Sequence, residues 1–165
     1  MSQLKVRPAG SPDLAEVAAI YAYSVRTSTA TFDVSEPPQS CWQAKLESTA
    51  MGDHFLVAHD DDRVLGYAYS ASFRNRAAYQ RTRETSVYLA PDATGRGLGT
   101  WLYGELFQLL HQDDIHLVVA VVAQPNPASN ALHRSLGFTE VGTLDEVGFK
   151  FGAYVSTTSF QLRLR

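Results

Sequence analysis

Residues 84 to 103, Glu84-Thr85-Ser86-Val87-Tyr88-Leu89-Ala90-Pro91-Asp92-Ala93-Thr94-Gly95-Arg96-Gly97-Leu98-Gly99-Thr100-Trp101-Leu102-Tyr103, read as strand, glycine loop and helix start in immediate succession. Val87 and Leu89 alternate with more polar neighbours, and Pro91 ends the strand. From there Leu98, Leu102, Leu106 and Leu109 or Leu110 fall on one helical face. A helix that opens where side chains are absent offers a ligand the N–H groups of its first turn and the positive end of its macrodipole. Glycines at 95, 97 and 99 let a pyrophosphate approach, so the stretch predicts a phosphate cradle. The plainer alternative is a helix entry that only needs tight turns. The spacing matches neither the nucleoside-triphosphate loop, which requires Gly-Lys-Ser or Gly-Lys-Thr, nor the G-x-G-x-x-G of dinucleotide folds.

Around this stretch the chain has the composition of an ordinary globular protein, with 45% hydrophobic and 19% charged residues. Its 165 residues suit a single domain spanning 1–165. A net charge of -3 provides no basic surface, so no nucleic-acid partner is expected. Cys41 is the only cysteine, which excludes an internal disulfide and suits a reducing, cytoplasmic setting; beside Trp42 it is expected to pack rather than react. Met1-Ser2-Gln3-Leu4-Lys5-Val6-Arg7 lacks an apolar signal core, and no run approaches the ~18 apolar residues of a membrane span, so neither export nor insertion is expected. His54, His59, His111 and His116 lack metal-ligand spacing, and Asp60-Asp61-Asp62 reads as a turn without the distal Glu of a calcium loop. No metal is expected.

Leu4 to Arg7 reads as a first strand, and Ser11-Pro12-Asp13 as the cap of a helix running to Thr27 with Leu14, Val17, Ile20, Tyr21 and Val25 on one face. A shorter helix follows over about 39–49, with Trp42 and Leu46 inward, then strands over 54–59 and 63–70. The helix after the glycine loop ends near Gln112, and Leu117-Val118-Val119-Ala120-Val121-Val122 is an apolar run suited to a strand covered on both faces. Asn126 to Leu136 reads as a last helix closed by Gly137. Phe138 to Val141 and Thr158 to Arg163 read as closing strands, with no definite shape for 142–157.

Thr94-Gly95-Arg96-Gly97-Leu98-Gly99, and Asn126-Pro127-Ala128-Ser129-Asn130-Ala131-Leu132-His133-Arg134-Ser135-Leu136-Gly137-Phe138, resemble the two cofactor-side segments of the GNAT superfamily of acetyl-CoA-dependent N-acetyltransferases. Thr94 stands where that family carries Gln or Arg, which removes a long polar side chain but no backbone donor. The order of elements also fits. The resemblance implies an α/β fold of GNAT type, with a mixed, mostly antiparallel central sheet flanked by helices on both faces, and acetyl-CoA as co-substrate. On matching positions it implies that Val87, Tyr88, Leu89, Thr94, Gly95, Arg96, Gly97, Leu98, Gly99, Thr100, Asn126 and Ser129 meet the cofactor.

Acyl transfer to an amine needs the amine deprotonated, and Glu84, at the start of the strand feeding the loop, is the candidate base. Its ordinary alternatives are a solvated residue at a strand start or an ion partner for Arg81 or Arg83. His133 titrates in the range that could return a proton to a departing thiolate; its alternative is a half-buried histidine satisfied by backbone. Asn126 could equally be a helix cap. Four arginines between Arg74 and Arg83 precede Glu84, and guanidinium forks match planar anions.

A closer resemblance lies in Phe73-Arg74-Asn75-Arg76-Ala77-Ala78-Tyr79, Thr82-Arg83-Glu84-Thr85-Ser86-Val87-Tyr88, Thr27-Ser28-Thr29-Ala30-Thr31-Phe32 and Gly148-Phe149-Lys150, which are similar to the phosphinothricin and methionine sulfoximine acetyltransferase branch. That branch acetylates the α-amino group of small amino-acid analogues and is homodimeric. The resemblance implies Glu84 as base, Arg74, Arg76 and Tyr79 on the substrate's anionic end, Phe32 in the pocket wall, Asn126 beside the pantetheine arm and His133 facing the sulfur. Phe151 and Tyr154 stand where the branch has His and Trp, so the pocket's shape is its own. Acetylation of another amine or a protein N-terminus, and a silent CoA-binding module, are the rival readings.

Overall fold

The computed structural model describes residues 3–164; Met1 and Ser2, in the stretch read for a signal core, and Arg165 lie outside it. The elements run β1 (Lys5–Pro8), α1 (Leu14–Thr27), α2 (Gln39–Glu47), β2 (Phe55–His59), β3 (Val64–Ser72), β4 (Thr82–Leu89), α3 (Leu98–Gln112), β5 (Leu117–Ala123), α4 (Pro127–Ser135), β6 (Thr139–Lys150) and β7 (Ala153–Arg163). They form one seven-stranded sheet in the order β1-β2-β3-β4-β5-β7-β6. Every neighbouring pair is antiparallel except β4 and β5.

Alternation along the strands assigns the two faces. Tyr21 of α1 and Trp42 of α2 pack onto Phe55, Tyr67 and Tyr88, with Tyr21 and Tyr88 edge to face at 5.2 Å and Trp42 and Tyr67 at 5.6 Å. On the other face, Leu98, Leu102, Leu106 and Leu110 recur every fourth residue of α3 and are all buried. Each such leucine contributes about 1.5–3 kcal/mol by leaving water, so α3 is fixed against the sheet and its N-terminus is held in one place.

Three expectations are revised. Ser11-Pro12-Asp13 form a short 3-10 turn of their own, so the N-cap position of the first helix falls on Asp13, whose carboxylate does not bond the helix but accepts from the Gly10 N–H at 2.7 Å and is gripped by Arg7 at 2.7 and 2.9 Å. Cys41 is exposed, because the inward face of α2 is taken by Trp42. The stretch 142–157 is a continuous hairpin: β6 pairs with β7 out to the two-residue turn Phe151-Gly152, both at positive φ (53° and 75°), the combination that closes tight hairpins. Most of β6 is exposed, so burial imposes no alternation on its sequence, and the register slips between Leu144 and Gly148, where Glu146 sits at φ 53°.

Candidate functional site

The parallel pair is the opening in the sheet. β4 and β5 are in register only from Thr82↔Leu117 to Glu84↔Val119. Beyond Glu84 they part, and a cavity of about 650 Å³ fills the wedge, lined by Thr85 to Leu89 on one side and Ala120 to Ala123 on the other. Its walls come from both layers: Ser24 and Ala30 from α1 and the loop after it, Tyr103 from α3, and Leu132 and His133 from α4. The wedge therefore passes through the sheet, and Glu84 marks its apex.

At the α3 end, Thr94, Gly95, Gly97, Leu98, Gly99 and Thr100 line the cavity. Gly95 and Gly97 sit at φ 72° and 76°, in the left-handed region, and a Cβ on either would meet nothing within 4 Å. The emptiness lies on the ligand's side. Gly99 is needed for a different reason: a Cβ there would stand 3.1 Å from Leu132, so its absence seats α4 against α3. No side chain caps α3, and the N–H groups of Leu98, Gly99 and Thr100 have no carbonyl a turn earlier to bond. Such an end, beside an open wedge, fits a pyrophosphate. The Arg96 side chain is exposed and outside the lining.

On α4, Asn126 accepts from the Ser129 N–H at 3.1 Å, so it is a helix cap, while also lining the cavity with Ser129. His133 is buried, stacked on Phe160 at 5.5 Å. Its Nδ1 lies 2.7 Å from the Ser129 carbonyl, which fixes the proton there, and Nε2 faces the Tyr103 hydroxyl at 3.4 Å. Burial holds the imidazole below its ordinary pKa, so the ring is neutral at pH 7, and burial pushes the Tyr103 phenol up. The Tyr103 hydroxyl therefore keeps its proton and can donate it to the Nε2 lone pair.

Glu84, Ser86 and Tyr88 alternate onto the face covered by α1 and α2. Burial raises the Glu84 pKa, and among the described residues it has no hydrogen-bond or ion-pair partner. The ion-pair alternative is not what the structure shows: Arg81 pairs with Asp114 at 2.6 Å, and buried Arg83 pairs with Asp53 at 3.0 Å and bonds the Met51 carbonyl. That leaves Arg74 and Arg76 without carboxylate partners among the described residues, on the loop between β3, whose Ser72 pairs with Arg83, and β4. Arg74 lies over Phe73 at 5.1 Å, and Phe73 meets Tyr79 edge to face at 5.5 Å. Neither arginine, nor Tyr79, Phe32 or Glu84, is in the cavity lining.

Thr85, Tyr103, the Ala120–Ala123 wall and Leu132 escaped the sequence reading. Their signal is the parting of two strands 35 residues apart, as Glu84 and Val119 are, and no local pattern carries that. Among the described residues no cluster of His, Cys, Asp or Glu could hold a metal ion, and no helix is long and apolar enough to cross a membrane.

Residues 17–138 match the model of the acetyltransferase (GNAT) family. A phosphinothricin N-acetyltransferase of Streptomyces coelicolor is 42% identical over 158 residues, covering 93% of this chain and 92% of that protein. An L-methionine sulfoximine/L-methionine sulfone acetyltransferase of Pseudomonas paraeruginosa is 37% identical over 161 residues, 96% of this chain and 94% of that one. Among solved structures, a GNAT superfamily phosphinothricin acetyltransferase of Sinorhizobium meliloti in complex with acetyl-CoA has a TM-score of 0.92 at 36% identity, covering 98% of this chain and 88% of that chain.

Proposed function

The chain belongs to the acetyltransferase (GNAT) family, and from that premise we propose that it acetylates the α-amino group of a small amino acid or analogue of the phosphinothricin, methionine sulfoximine or methionine sulfone type. It is an N-acetyltransferase with acetyl-CoA as co-substrate. The observation that carries the substrate class is a pair of arginines, Arg74 and Arg76, with no carboxylate partner among the described residues, on the loop that leads into β4, where Glu84, likewise without a partner among them, stands at the apex of the wedge. A site for a polyamine would present acids there.

The first-turn amides of α3 and the loop from Thr94 to Gly97 hold the diphosphate of acetyl-CoA, and the walls from Val87 to Leu89 and at Asn126 and Ser129 receive its pantetheine arm. Bound, it supplies a thioester carbonyl to the attacking amine. Arg74 and Arg76, with Tyr79, hold the substrate's anionic end by charge-assisted bonds. Phe32 closes the wall. Glu84 takes the ammonium proton, directly or through one water, and its raised pKa brings it closer to that task than an exposed glutamate would be. His133 is read to face the sulfur end, its Nδ1 tied to the Ser129 carbonyl and its Nε2 meeting the Tyr103 hydroxyl at the cavity wall, and this pair is the proposed route for the proton that the departing thiolate takes up. No covalent enzyme intermediate is required.

The active form is read as a homodimer. Val141, Leu144, Val147, Phe149, Phe151 and Tyr154 of the β6–β7 hairpin are each more than half exposed, an apolar surface of the kind that copies of a chain cover. The reading places the enzyme in the cytoplasm, disposing of toxic amino-acid analogues. The test is thiol release from acetyl-CoA over a panel of phosphinothricin, methionine sulfoximine, methionine sulfone, spermidine and an alanyl peptide, with the acetylated nitrogen located by NMR. Turnover confined to the amino acids, at the α-nitrogen, is expected. Preference for the peptide or the polyamine would overturn the reading, and acetyl-CoA binding without any turnover would mark a silent module.

A further inference from the structure

Resting on that reading, we propose that Lys150 is a positioning residue for the amine substrate: its ammonium ties the loop after α1 to the end of β6, so that Ala30 and Phe32 form a fixed wall on the amine side of the wedge. Lys150 is 4% exposed, the one buried residue of a strand otherwise open to solvent. Burying an ammonium is costly unless its donors are satisfied. Here Nζ donates to the Ser28 carbonyl and to the Thr31 carbonyl, each at 2.8 Å, with no carboxylate within ion-pair distance among the described residues. An apolar side chain could fill the same space without the desolvation cost. What it could not do is hold two carbonyls three residues apart.

Those carbonyls bracket Ala30, which lines the cavity. The next residue along, Phe32, lies against Gly148, where a Cβ would stand 2.4 Å from its ring. Gly148 and Lys150 therefore form one seat for the loop, two residues apart on the same strand and so on the same face. The loop's other side is held from α1 and β4. The Tyr21 hydroxyl donates to Asp33 Oδ2 at 2.5 Å and meets Thr31 Oγ1 at 2.6 Å, and the Tyr88 hydroxyl reaches the Ala30 carbonyl at 3.5 Å. Tyr21 and Tyr88 fix the loop against the sheet, and Lys150 sets how far it reaches over the opening.

The test compares Lys150→Met, Lys150→Arg and wild type. In Lys150→Met, KM for methionine sulfoximine should rise by about tenfold or more, as loss of a charged hydrogen-bond anchor implies. The kcat at saturating amine and the Kd for acetyl-CoA by calorimetry should stay within about twofold. Lys150→Arg, which can still fork onto two carbonyls, should recover most of the loss. Hydrogen exchange should quicken at residues 29–33 in Lys150→Met and not in α3 or β5. Unchanged exchange over 29–33, or a fall in kcat with KM unchanged, would overturn the assignment. If Lys150→Met does not fold, Gly148→Ala, which displaces Phe32 and leaves the lysine, should raise KM in the same way, and an unchanged KM there counts against the wall. The exchange result does not depend on the substrate, so a panel in which wild type acetylates no amino acid would sink the functional reading and leave the tether decided on its own.

Discussion

The first turn of α3 and the loop from Phe73 to Arg81 flank the same strand, β4, yet they are made of different material. The α3 end is backbone: glycines at 95, 97 and 99, an uncapped helix, and a row of buried leucines that prevents the helix from shifting. The other is side chains: Arg74 and Arg76 without ion-pair partners among the described residues, half-exposed Phe32, and a hairpin whose large apolar residues face solvent. The first can hold a co-substrate common to the whole family, because amides and a helix dipole do not depend on residue type. The second, under the proposed function, holds the amine substrate, and its large apolar side chains stay exposed in the single chain. Preorganised donors act without reorganising when the ligand arrives; exposed side chains must be ordered by substrate or by a second copy, at a cost in entropy.

Substitutions sharpen the contrast, starting with the group that joins the two halves. Glu84→Gln should lower kcat near neutral pH by about 10²- to 10⁴-fold, the usual share of a general base, with acetyl-CoA affinity kept; steady-state turnover near that of wild type would remove Glu84 as the base. In wild type the acid limb of kcat/KM should lie above 4.5, the ordinary value for a glutamate, because burial favours its protonated form and the base works only when ionised. On the side-chain half, Arg74→Ala with Arg76→Ala should raise KM for anionic amino acids by roughly 100-fold, since each charge-assisted bond contributes about 1.5–3 kcal/mol. An equal loss on a neutral amine would argue against an anion clamp.

Phe149→Glu with Tyr154→Glu should weaken self-association by roughly 30-fold or more, the scale of an interface hot spot. Sedimentation should then show a smaller mass than that of wild type at the same concentration, and an unchanged mass would release the hairpin from the proposed interface. On the backbone half, Gly97→Ala should weaken acetyl-CoA binding by about tenfold, because a left-handed residue with a Cβ costs roughly 1–2 kcal/mol. Calorimetry would read this directly, with KM for the amine unaffected if the two halves are separable.

The smallest effect is on stability. The folded chain holds the Glu84 proton more tightly than the unfolded chain does. Stability of wild type therefore falls as pH rises from the ordinary glutamate value through the raised one. Glu84→Gln, which cannot ionise, should melt about one or two degrees higher at pH 7, with the gap closing below pH 4 or so. A lower melting temperature at pH 7 would mean that the carboxylate is satisfied in a way the structure does not show.

Legibility followed the same division. The strand, loop and helix of residues 84 to 103 were readable because glycine and period-four leucine are strong local signals, and Asn126 and Gly137 marked the ends of α4 in the same way. Cys41 was misjudged because a short helix with a weak apolar face does not reveal which neighbour of Trp42 turns inward. The hairpin was missed because exposed strands obey no alternation, and the partners of the His133 ring, Ser129 and Tyr103, came into view only with the packing of α4 on α3.

By itself the sequence determined what is written in neighbours: the elements flanking the glycine loop, the cradle, the acid and the arginines that follow one another along the chain. The tertiary structure decided what depends on residues far apart meeting. It parted β4 from β5 beyond Glu84 to open the wedge, gave Arg81 and Arg83 to Asp114 and Asp53 while leaving Arg74 and Arg76 unpaired among the described residues, and brought Lys150 to Ser28 and Thr31. Local signals survive in a sequence because they act over a few bonds. The pairing of a charge, or the burial of one, is fixed only when the whole chain has chosen which surfaces leave water.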